Sequence, residues 1–97
     1  MKPCYFHPQA LLEIEAAAKF YDEQSQGLGH SLIELVAKKL EQISQQPQLY
    51  QKIHGNIRRC HLQKFPFGII FREQTEHIEI IALAHAKREP NYWQVRK

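Results

Sequence analysis

The chain has 97 residues, 43% of them apolar and 24% charged, with a net charge of +3. That length suits one domain built on one core, spanning residues 1–97, and the composition carries no disorder signature. No apolar run reaches the length of a membrane-spanning helix, and the opening MKPCYFHPQA lacks the apolar stretch of a signal peptide, so the cytoplasm is the expected compartment and no membrane partner is expected.

Residues 4–6, CYF, read as a short strand closed by His7-Pro8. Residues 9–25 are rich in Ala, Leu and Glu and predict a helix. Leu11, Ile14, Ala18 and Tyr21 fall on one stripe of it, and Leu12, Ala16 and Phe20 on a second, roughly opposite. A helix apolar on two sides is either sandwiched or has one side left for a partner. Gly27-Leu28-Gly29 interrupts the pattern, and a second helix is expected over 30–46. Its apolar arc of Leu32, Leu35, Val36, Leu40 and Ile43 ends near Pro47. The short connection favours an antiparallel helical hairpin.

Strand signals follow. IRRCHL (57–62) alternates, with Arg58, Cys60 and Leu62 on one face and Ile57, Arg59 and His61 on the other. FGIIFRE (67–73) and HIEIIALAH (77–85) are β-rich and separated by three residues, short enough for a hairpin. A short helical turn is expected beyond Pro90. The expected order is β-α-α-β-β-β. This is an α+β fold, with an N-terminal strand and a helical hairpin packed on one face of a mainly antiparallel sheet.

Charge is divided unevenly along the chain. Residues 1–51 carry four lysines against six acidic residues, a balance of −2, while residues 52–97 carry nine Lys/Arg against four Glu, a balance of +5. A basic half suits an acidic partner, nucleic acid or anionic polypeptide, although a merely solvated surface explains the charge equally well. Cys4 and Cys60 are too few for a disulfide scaffold. Cys4-x-x-His7 with Cys60-His61 superficially suggests zinc, but neighbouring strand residues point to opposite faces, so no metal site is expected.

In the last strand Ile78, Ile80, Ala82 and Ala84 are expected to face the helices. His85 would then emerge on the other face, near Arg58 or Arg59. Arg88, Tyr92 and Arg96 recur every four residues, so a helical turn would align them. Guanidinium forks, a phenol and an imidazole suit RNA cleavage by a ribose 2′-hydroxyl. A base takes the hydroxyl proton, arginines stabilise the charged transition state and an acid protonates the leaving oxygen. His85, Arg88 and Tyr92 are the catalytic candidates; Arg58, Arg59, Lys87 and Arg96 are candidates for binding a target or nucleic acid. Trp93 is expected to pack at the end of the core rather than to stack on a ligand.

Arg58-Arg59, the stretch Lys64 to Phe71 (KFPFGIIF), and the ending His85-x-x-Arg88-x-Pro90-x-Tyr92-Trp93-x-x-Arg96 resemble the RelE/ParE superfamily of bacterial toxins. Phe67 stands where tyrosine is usual in that pattern. The resemblance implies the toxin of a type II toxin–antitoxin system, needing no cofactor and held inactive by a cognate antitoxin. RelE-like members cut messenger RNA on the ribosome without metal, whereas ParE-like members inhibit DNA gyrase and cut nothing. Cleaving members place an arginine where this chain has Gly68, and the terminal motif sits closer to the ParE-like side. The resemblance therefore favours gyrase inhibition, with ribosome-associated mRNA cleavage as the alternative.

Overall fold

The computed structural model describes residues 1–96, so Lys97, one of the terminal cations, lies outside the described residues. Strand β1 (Cys4–Phe6) turns at His7 into helix α1 (Pro8–Gln24). His7 starts the helix by accepting the Gln9 N–H on its Nδ1 (3.1 Å), and Pro8 occupies the first turn, where its missing N–H costs nothing. Helix α2 (Leu28–Gln45) follows almost at once. Its N-cap Gly27 has φ 87° and no side chain to offer, so Asp22 of α1 caps it instead, accepting the Gly29 N–H at 2.7 Å. Gly29 also lets the two helices meet, since a Cβ there would lie 2.1 Å from the Ala18 carbonyl oxygen.

A single 3-10 turn (Pro47–Leu49) leads into four strands: β2 (Gln51–His54), β3 (Ile57–His61), β4 (Phe67–Glu73) and β5 (Ile78–His85). The sheet order is β1-β5-β4-β3-β2, with β1 parallel to β5 and the other pairs antiparallel. The α+β architecture is the expected one, with β2 as an added edge strand. Only Ile53 of its four residues avoids full exposure, so it carries no apolar alternation to read. The last element among the described residues is a 3-10 turn, Tyr92–Val95.

The sheet buries both faces. On the inner face α1 contributes Ala10, Ile14 and Ala17 and α2 contributes Leu32, Val36 and Ile43, packed on Cys60, Ile69, Phe71, Ile78, Ile80 and Leu83. The inner stripe of α1 is thus turned slightly from the expected one, and Leu11 is 45% exposed. The second stripe remains outside, with Leu12 55% and Phe20 54% exposed. On the outer face Trp93, 1% exposed, covers Ile57, Ile70, Ile81, Ala82 and Ala84. Trp93 is a core residue, as its size led us to expect.

The two faces trade places within β5. Ile70 pairs with Ala82 but Phe71 pairs with Ile80, leaving Ile81 as an extra residue. Ile78 and Ile80 face the helices as expected. Beyond the bulge the alternation inverts: Leu83 joins the inner core, while Ala82 and Ala84 turn to Trp93.

Candidate functional site

The inversion decides where His85 goes. Its partner in register is Phe67, which packs on the inner core, and the two rings meet edge to face with centroids 5.0 Å apart. His85 therefore stands at the end of the sheet on the helix side, not on the opposite face. Its Nδ1 accepts the Lys87 N–H at 3.0 Å. The turn after β5 is held by the Ala86 N–H on the Pro66 carbonyl (2.8 Å) and the Arg88 N–H on the His85 carbonyl (3.0 Å). Lys87 and Arg88 are exposed on it.

Arg58 and Arg59 part company because they are strand neighbours. Arg58 pairs with Phe71 on the helix side and donates to the Tyr50 carbonyl at 2.7 Å, which ties down the 3-10 turn before β2. It is remote from the terminal segment. Arg59 lies on the outer face, and its stem crosses Gly68: a Cβ on that glycine would meet Arg59 Cγ at 3.1 Å and Cδ at 3.2 Å. No hydrogen bond or ion pair of Arg59 is found among the described residues.

Arg59, His61 and Gly68 join Arg88, Tyr92 and Trp93 along a cleft of about 430 Å³ between the outer sheet face and the terminal segment. His85 and Phe67 reach its end. A second, more apolar groove of about 370 Å³ runs between α1 and the end of β5, lined by Ala16, Phe20, Tyr21, Phe67 and Leu83. His85 and Arg88 border both cavities.

Tyr92 and Arg96 are engaged internally. β1 ends at Phe6, so the edge of β5 past Ile80 has no neighbouring strand, and unpaired backbone groups there need other partners. Glu13 of α1 accepts the Leu83 N–H at 3.0 Å, and Arg96 donates to the Ile81 carbonyl at 3.1 Å. Arg96 also forks onto both Glu13 carboxylate oxygens (2.8 and 2.9 Å), and the Tyr92 hydroxyl donates to Oε2 at 2.7 Å. Arg88 and Arg96 both lie over the Tyr92 ring, 3.9 and 5.0 Å from its centroid. Arg88, Tyr92 and Arg96 do come together, then, but around one ring rather than along an α-helix.

Burial pushes the Glu13 carboxyl up, but the hydrogen bonds from Arg96, Tyr92 and the Leu83 N–H outweigh it and hold the group below its ordinary range. Burial, together with the hydrogen bond to Glu13, raises the Tyr92 phenol far above its usual value. Its proton stays on oxygen at neutral pH, a poor state for a general base. The Glu13 contact raises Arg96 in turn. Glu13 was not legible as a site residue, because its partners lie 70 to 83 positions away.

Cys60 is buried on the inner face and His61 is exposed on the outer. No group of metal-ligating residues is found among the described residues. No described helix is long and apolar enough to cross a membrane.

A search of curated proteins gives no match. Among solved structures the chain is similar to one titled "Chromosomal ParDE TA system from P. aeruginosa", with TM-score 0.78 and 14% identity over 90% of this chain and 98% of that one. At that identity the likeness is one of fold. The family model described as "ParE toxin of type II toxin-antitoxin system, parDE" matches residues 5–90. With nearly the whole strand, hairpin and sheet inside that match, the chain belongs to the ParE toxin family.

Proposed function

We propose that this toxin acts on DNA gyrase by binding it, without catalysis of its own, and that a cognate antitoxin neutralises it. The observation that carries this reading is the engagement of Tyr92 and Arg96 by Glu13. Two of the side chains that a 2′-hydroxyl cleavage would recruit are spent on holding the fold, and Tyr92 is kept protonated. β4 also presents Gly68 to the cleft, where the cleaving relatives implied by the resemblance carry arginine. The exposed Leu12 and Phe20 on α1, beside the groove along Leu83, offer the antitoxin an apolar face to cover. Growth arrest and plasmid stabilisation are the cellular effects this reading implies.

Purified toxin added to gyrase should block supercoiling of relaxed plasmid, and the co-encoded antitoxin should restore it. Unimpaired supercoiling at a large excess of toxin would end the reading. Ribosome-associated mRNA cleavage is the second reading, favoured by His85, Arg59 and Arg88 lining one cleft. It requires cleavage of translated mRNA in a cell-free system, lost in His85→Ala by roughly 100-fold or more if the imidazole transfers a proton.

A further inference from the structure

The outer cleft holds an arginine that the fold positions but does not use. Each of the other arginines buried in part has a partner: Arg58 on the Tyr50 carbonyl, Arg72 on Glu79, and Arg96 on Glu13. Arg59 has none among the described residues, although its stem is confined against Gly68. A half-buried guanidinium kept in place without an internal acceptor is prepared for an external one. Its surroundings repeat the sign: exposed His61 lies two residues on along the same face, and exposed Arg88 stands on the cleft's other wall.

Three features restrict what the acceptor is. Neither Trp93 nor Tyr92 offers a free aromatic face for a base to stack on. Trp93 is buried and the Tyr92 ring is already covered by Arg88 and Arg96. Glu89 also lines the cleft and repels any anion beside it, which confines a partner's acidic group to the Arg59 side. Its volume of about 430 Å³ fits a few side chains of a peptide rather than a duplex.

We propose that this cleft docks an acidic segment of a protein partner, one of whose carboxylates pairs with Arg59, and that Gly68 is the positioning residue that leaves room for it. The proposal rests on the reading of this toxin as a protein-binding inhibitor. Gly68 works by what it lacks. A Cβ there would meet Arg59 Cγ, Cδ and Nε at 3.1, 3.2 and 3.4 Å, so the arginine would have to shift. Gly68 carries no left-handed φ, so alanine suits its backbone and should leave the fold intact.

The test titrates the full chain with a hexaglutamate peptide and, separately, with a ten-nucleotide single-stranded RNA, following both by calorimetry at two salt concentrations. Arg59→Ala should weaken the peptide about 10- to 100-fold, the loss expected for a hydrogen bond to a charged group. Gly68→Ala should weaken it in the same direction while melting near the wild-type temperature. In the Arg59→Ala background Gly68→Ala should add nothing, since it acts through that side chain. Lys52→Ala and Lys64→Ala, both exposed and outside the cleft, control for general attraction to a basic protein. Equal peptide affinity in wild type and Arg59→Ala overturns the proposal and leaves the protein-binding reading standing. Tighter, Arg59-dependent binding of the RNA overturns both.

Discussion

Glu13 sits on α1 between two apolar stripes, yet its carboxylate organises the far end of the chain. Its side chain is 16% exposed and that of Arg96 11%, so both charges are largely withdrawn from water and each depends on the other. Removing one partner of such a pair strands the other, at a cost on the order of 3 kcal/mol. Glu13→Ala should therefore lower the melting temperature by about 10–20 °C for a chain of this size. Tyr92→Phe removes only one of the bonds to that carboxylate and should cost about 1 kcal/mol, more than an exposed position would. Trp93→Ala should cost on the order of 3–5 kcal/mol, because the indole is the lid of the outer core.

The same carboxylate sets a pH dependence. Its folded pKa is lowered, so its stabilising effect is complete above the ordinary carboxylate value of about 4.3 and is lost as pH falls through the depressed folded value. Thermal melts of wild type and Glu13→Gln should differ most above pH 5 and converge under more acid conditions. A constant difference down to pH 2 would exclude Glu13 as the titrating group.

Among the elements, the helical hairpin depends on one missing side chain. Alanine at Gly29 would place its Cβ 2.1 Å from the Ala18 carbonyl oxygen, on backbone that cannot swing aside. Gly29→Ala should destabilise by about 1–3 kcal/mol or more, against the usual gain from replacing a helical glycine. Both helices and three of the later strands were legible from periodicity, since Leu32, Val36 and Ile43 repeat at helical spacing and β4 is a run of β-formers. Strand β2 was not, being polar and exposed; its only signal is the two-residue Gly55-Asn56 link to β3, with Gly55 at φ 56°. The bulge at Ile81 was invisible because every residue from Ile80 to Ala84 is apolar. Alternation cannot report a slipped register where both faces are buried. His85 was assigned to the wrong side for that reason alone.

At the scale of the molecule, the basic C-terminal half forms the cleft wall on the outer sheet face, and α1 keeps its second apolar stripe in solvent. The sequence pattern announced the spare stripe, since Leu12, Ala16 and Phe20 recur at helical spacing. It could not announce the cleft. Arg59 and Gly68 come from different strands, and the terminal turn closes over them only because Trp93 needs the outer core.

The pairing of β1 with β5 has a consequence in time. β1 and α1 are made first, but β1 gains its hydrogen-bonded neighbour only when residues 78–80 exist, and Glu13 waits 83 residues for Arg96. At about 5–20 residues per second, synthesis leaves the inner stripe of α1 without its sheet for several seconds. Contacts so distant in sequence form late in refolding as well. Glu13→Gln should therefore speed unfolding while leaving the folding rate almost unchanged. Trp93 is the sole tryptophan and lies in the segment that Glu13 secures through Tyr92 and Arg96. Stopped-flow fluorescence of the full chain reads that step directly, and a folding rate that fell in proportion to the lost stability would mean instead that the two ends of the chain meet early.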